Sequence, residues 1–172
     1  DDLQAYIRDK FSEESIYAKF LSSAGLVEDL QDAKYIFVSD FFADQHTGGA
    51  ELSLQVLIDS CKDSYFKINS SSLKNNLIKF YKDSTWIFGN TSQLDDGLIK
   101  QLISENIKYH FIEFDYKFCE YRNPSLYEFL EEEKCQYENT EKGELYTEFI
   151  NNSVMTHFMS HEQLSIFLDN LP

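Results

Sequence analysis

Two adjacent glycines between a strand-like run and a helix-like run carry the strongest chemical signal in this chain. Thr47-Gly48-Gly49-Ala50-Glu51 follows the apolar, β-prone stretch Lys34-Tyr35-Ile36-Phe37-Val38-Ser39. It precedes Leu52 to Ile58, where Leu54, Leu57, Ile58 and Cys61 share one side of a helical pattern. Paired glycines let the backbone come close to another molecule, and a helix N-terminus behind them offers unpaired N–H groups to an anion. The same pattern also serves as a plain βα turn whose glycines only permit a tight bend. The local sequence does not separate the two.

Strand-like runs cover 34–42, 65–68, 85–89, 108–114 and 154–159. Helix-like runs cover 49–61, 72–81, 94–105, 125–134, 143–152 and 161–169. Near-continuous apolar strands with helices between them predict an α/β fold, a Rossmann-like and mostly parallel sheet with helices on both faces. Residues 1–30 lie ahead of that alternation. Leu3, Ile7 and Phe11, then Ile16, Phe20 and Leu21, recur at helical spacing, which predicts a helical N-terminal cap packing on the sheet. Residues 31–172 form the Rossmann-like unit, with no flexible linker and no internal repeat.

Ligands of open parallel sheets bind at the carboxyl ends of the strands. That rule selects Asp40, Asp44, His46, Gly48 and Gly49 after the first strand and Asn90 after the third. It selects Asp115, Tyr116 and Lys117 after the fourth, and Ser160 and His161 after the last. Each has a plainer reading. Glu51 suits the first turn of any helix, where the dipole favours its charge. His46 serves equally as a solvated loop residue, and Asp115 as the cap of the following turn. Ser160 reads as the N-cap of the last helix with Gln163 as its capping-box partner. His157, inside an apolar strand, reads as a core histidine, and Cys61 as a core residue of its helix.

With 172 residues and 42% hydrophobic content, including 15 Phe and 11 Tyr, the chain is sized for one domain with a substantial core. Its formal charge of −15 opposes binding to nucleic acid or to anionic lipid. No apolar run is long enough for an integral membrane segment. Glu128 to Glu148 is the most acidic stretch, a solvated helix face or a docking surface for a basic partner. Three widely spaced cysteines suggest neither a disulfide framework nor a metal site, and reduced thiols fit a cytoplasmic location. Dinucleotide-binding, phosphate-loop, zinc-protease and nucleophile-elbow motifs are all absent.

The Gly-Gly-x-Glu segment resembles the first βα loop of GT-B glycosyltransferases, especially the family-4-like group. Further matches follow in the order of that family's N-terminal lobe. Trp86-Ile87-Phe88-Gly89-Asn90 resembles its third strand and loop, and Lys108 to Cys119 its fourth strand and acceptor-side loop. Val154 to Ser160 resembles a late strand before a closing helix, so the resemblance runs from about Lys34 to Pro172. It implies sugar transfer from a nucleotide-sugar donor to a glycan or other hydroxyl acceptor, with retention and with neither a cofactor nor an obligatory metal. It assigns Gly48, Gly49 and Glu51 to the donor, His46, Asn90, Tyr116 and Lys117 to the acceptor, and Asp115 to catalysis.

Many relatives place a histidine facing the donor sugar after the strand that here reads Glu113-Phe114-Asp115. Phe114 stands there instead, so either the alignment slips by one residue or that polar contact is missing. The chain starts at Asp1 rather than methionine and ends where a first lobe would finish. A C-terminal donor lobe of about 150 residues is therefore expected to be missing, leaving this lobe inactive alone. Two readings from other classes stay open: a non-catalytic Rossmann-like or flavodoxin-like binding module, and a small flavin oxidoreductase.

Overall fold

A computed structural model describes residues 33–170. The helical cap expected over residues 1–30 lies outside the described residues. From Tyr35 onward, strands and helices alternate as the sequence predicts. The strands are β1 (Tyr35–Ser39), β2 (Tyr65–Asn69), β3 (Thr85–Phe88), β4 (Tyr109–Glu113) and β5 (Met155–Phe158). The helices are α1 (Gly49–Ser60), α2 (Asn75–Phe80), α3 (Asp96–Ser104), α4 (Pro124–Glu131), α5 (Glu141–Asn151) and α6 (His161–Asn170).

All five strands are parallel, in the order β2-β1-β3-β4-β5. The chain steps from β1 outward to β2, then returns past β1 to β3. The order therefore reverses between β1 and β3, which makes that crevice the switch point where ligands of doubly wound sheets bind.

Local chemistry sets the helix ends. Asp95 caps α3 by accepting from the Gly97 N–H at 2.9 Å, and Thr140 caps α5 by accepting from Gly143 at 3.1 Å. Asn123 accepts from Leu126 at 3.1 Å, with Pro124 in the first turn of α4. That helix stops at Glu131 because Glu132 turns left-handed at φ 58°, three residues short of the expected end. The expected helix over 72–81 begins only at Asn75. A 3₁₀ turn occupies Ser70–Ser72 first, since serines bond locally in ways that compete with the helix. Ser160 does cap α6, accepting from the Gln163 N–H at 3.1 Å. Gln163 Oε1 in turn accepts from Met159 N at 2.7 Å.

The two faces of the sheet are covered unequally. On one, α2, α3 and α5 bury Leu77, Ile78, Leu102 and Phe149 against Trp86, Phe88, Tyr109 and Phe111. Tyr109 stacks on Phe149 with ring centroids 4.7 Å apart and donates its hydroxyl to the Phe149 carbonyl at 2.5 Å. On the other face, α1 packs Leu54 and Ile58 over Phe37, Phe42 and Ile112.

Two expectations are corrected on this second face. His157 is exposed rather than core, because β5 is the edge strand and no described helix covers that side of it. Cys61 is not a core residue of α1, which ends at Ser60 and leaves Cys61 half-buried at the cap. Cys119 and Cys135 are buried free thiols. Burial, then the neighbouring Cys135, pushes the Cys119 thiol up to about 11, so it stays protonated and unreactive at neutral pH.

Candidate functional site

Parallel strands bring the loops after β1, β3, β4 and β5 to one rim, so the residues selected by the strand-end rule share an edge. Asp40, the first residue beyond β1, organises it. Its carboxylate accepts from the Ser70 and Ser92 hydroxyls, from Ser92 N at 2.8 Å and from Gln93 N at 3.0 Å. The backbone N–H of Asp40 donates to the Asn90 carbonyl at 2.6 Å. One buried acid thus ties together the loops after β1, β2 and β3. Burial opposes its charge, and the hydrogen bonds from Ser70, Ser92 and Gln93 together outweigh burial, holding its pKa below the ordinary value. Every donor is internal, which makes Asp40 a positioning residue.

Asp40→Ala should cost about 3 kcal/mol, because buried donors lose a charged acceptor. A lowered native pKa contributes stability above pH 3.8 that is lost as the pH falls through it. The gap between wild type and variant in urea melts should therefore be full at pH 7 and narrow below 3.8. An equal gap at both ends would mean that Asp40 is not ionised in the fold.

At the switch point α1 begins without a side-chain cap. Gly48 is extended, at φ −113° and ψ 168°, and its carbonyl accepts from Leu52 N at 3.0 Å. The two glycines do different things. A Cβ at Gly48 would collide with the Glu51 carboxylate, which folds back over it and is buried. A Cβ at Gly49 would meet nothing within 4 Å. The close approach at Gly48 is therefore made by the chain's own acid, and Gly49 is the position open to another molecule. His46 lies beside Gly48, exposed, with its ring 5.9 Å from that of Phe41.

Across the crevice, Gly89 lets Leu54, Phe114 and Ser39 close in; a Cβ there would sit 3.4 Å from the Phe114 ring. Phe114 is half-buried beside this glycine. Asn90 is half-buried, and its side-chain oxygen is buried without a hydrogen-bond partner. Leaving such an acceptor unpaired costs about 1–3 kcal/mol, so it suits a donor supplied from outside the chain.

Beyond β4 the arrangement is tighter than the sequence suggests. Glu113, fully buried, accepts from Lys117 Nζ at 2.6 Å, from Asp115 N at 3.1 Å and from the Tyr146 hydroxyl at 3.1 Å. Lys117 also lies 3.1 Å from Asp115 Oδ1, and Arg122 reaches Asp115 Oδ2 at 3.2 Å. Burial pushes the Glu113 carboxyl up to about 7, with Lys117 pulling it down and Asp115 pushing it up.

Lys117 is therefore committed to two carboxylates. Tyr116 is half-buried and stacks on Phe167, with centroids 6.0 Å apart and planes at 19°. Asp115 stays partly exposed on the rim, neutralised by two cations. The loop is pinned to α6, since Gln163 Nε2 donates to the Asp115 carbonyl at 2.9 Å. A cavity of about 200 Å³ opens beside this cluster, lined by Ser92, Lys117, Arg122, Lys142 and Tyr146 among others.

The rim joins an uncapped helix start and an unpaired amide oxygen at the switch point to a neutralised acid beyond the next strand, β4. The chain matches no protein-family model, no curated protein and no solved structure. Among the described residues, no cluster of three or more His, Cys, Asp or Glu is arranged to hold a metal ion. No described helix is long and apolar enough to cross a membrane.

Glu113, Arg122 and Tyr146 were not singled out by sequence. Glu113 left one signal, an acid closing an apolar strand four residues before a lysine. Arg122 and Tyr146 left none, because they meet the cluster only through the fold.

Proposed function

We propose that this chain is the acceptor-side lobe of a family-4-like GT-B glycosyltransferase, which moves a sugar from a nucleotide-sugar donor to a hydroxyl acceptor. The observation that carries the reading is the uncapped N-terminus of α1, with Gly49 facing open space at the sheet's switch point. Unpaired backbone N–H groups at a helix start suit a diphosphate, whose charge the helix dipole favours, and this supports the reading. Asn90 carries a buried, unpaired side-chain oxygen at the same rim, which a sugar hydroxyl would satisfy once the loop opens to admit it. Asp115 presents a carboxylate at the same rim, and His46 stands beside the glycines. The order of sequence elements from Lys34 to Pro172 supports the same reading.

A lobe of this kind supplies half a cleft. The donor's base and ribose need partners on a second lobe, so this chain alone should transfer no sugar. Purified residues 1–172, incubated with a panel of nucleotide sugars and hydroxyl acceptors, test that directly. Product formation by the single lobe would overturn it.

One observation favours a second reading, a flavodoxin-like binding module. The strand order 2-1-3-4-5 is shared with flavodoxins. Sugar transfer by a longer parental protein would decide against the module, and a yellow, flavin-loaded protein would instead favour the small flavin oxidoreductase.

A further inference from the structure

The face of the sheet that carries α1 is only partly covered among the described residues. Beyond that helix, Ile87, His110, Ile112, His157 and Met159 line an apolar trough of about 440 Å³, edged by Tyr35 and Leu57. Leu57 is 41% exposed and Met159 51%, whereas Leu102 of α3 and Phe149 of α5 on the other face are buried. The titratable groups along it are Tyr35 and two histidines, with His157 Nε2 and His110 Nδ1 3.4 Å apart. A parallel sheet needs cover on both faces, and an apolar patch of this size marks a contact.

Three facts select the occupant. Thirty-two residues precede Ala33, and the described chain enters the fold at Tyr35, whose ring lines the trough. Those residues carry Leu3, Ile7, Phe11, Ile16, Phe20 and Leu21 at helical spacing. A segment tethered at the trough's edge also has a high effective concentration there. Crossing from β1 to β5 spans three strand spacings, about 14 Å, which a helix of roughly ten residues covers. A second copy is the poorer candidate, because each carries a formal charge of −15.

We propose that residues 1–32 of this chain dock in the trough over β3, β4 and β5 through their Leu3–Ile7–Phe11 and Ile16–Phe20 positions, completing the second layer of the fold. The inference is independent of the sugar-transfer reading.

Histidine carbethoxylation of the full chain, read peptide by peptide, tests it. His157 and His161 are both exposed in the described residues, so His161 serves as the internal reference. Docking makes His157 react about tenfold or more slowly than His161, since access then requires transient undocking. Rates within about twofold of each other would overturn the proposal. The double variant Ile7→Asp, Phe11→Asp should bring His157 up to the His161 rate while circular dichroism shows the sheet intact. Persistent protection in that folded variant, or protection that grows with protein concentration, would mean another occupant and would also overturn it. If the variant does not fold, the wild-type rates compared at two concentrations decide.

Discussion

Lys117→Met is expected to lower the melting temperature by about 9 °C at pH 8 and by clearly less at pH 5.5, from a loss of about 3 kcal/mol at the higher pH. Lys117 provides the cation at 2.6 Å from the buried Glu113 carboxylate. The Glu113 carboxyl has a native pKa of about 7 against an ordinary 4.5. A raised carboxyl pKa means that the fold binds the proton more tightly than the unfolded chain, so stability falls as the pH rises from 4.5 through 7. Lys117 limits that fall by stabilising the ionised form. Without it the native pKa rises further, and stability keeps declining past pH 7.

Glu113→Gln should be the milder change, because Lys117 keeps Asp115 at 3.1 Å. It should also flatten the pH dependence between 5 and 8. Thermal melts of both variants at the two pH values check the argument. An identical loss for Lys117→Met at both would show that Glu113 carries no charge at pH 8.

If the proposed second lobe exists, Gly49→Val should reduce donor use on the order of 100-fold in the two-lobe protein, with the melting temperature within about 2 °C of wild type. The two effects separate because of where Gly49 sits. It is the first residue of α1, and a side chain there meets nothing within 4 Å. The change in helix propensity is a few tenths of a kcal/mol in valine's favour, so folding loses nothing from it. A valine would occupy the space a diphosphate needs in front of the helix N–H groups. Gly48→Ala, by contrast, must push aside the Glu51 carboxylate and mixes the two effects. Steady-state kinetics with normalisation to folded protein decides. If Gly49→Val abolishes folding while activity per folded molecule stays normal, the loop is structural.

The alternation of elements was legible because it is written locally. β1 is an unbroken apolar, β-prone run buried from Ile36 to Ser39, and the glycine pair falls where α1 starts. Boundaries slipped where side chains answer to distant partners. Ser70 bonds to Asp40, thirty residues earlier, and α2 starts late. The rim residues were selectable from topology alone, but their availability was not. Tyr116 and Lys117 look free in sequence, yet Phe167 stacks on one and Glu113 holds the other. Tyr146 reaches the same carboxylate from α5. Such contacts leave no periodic trace. His157 misled for the opposite reason, since an apolar strand pattern does not reveal which strand forms the edge.

Reading the parental coding frame beyond Pro172 tests the central claim most directly. A lobe with half a cleft predicts a continuing frame of about 150 residues with its own run of alternating strands and helices. A stop codon immediately after Pro172 would contradict a two-lobe transferase and favour the binding-module reading.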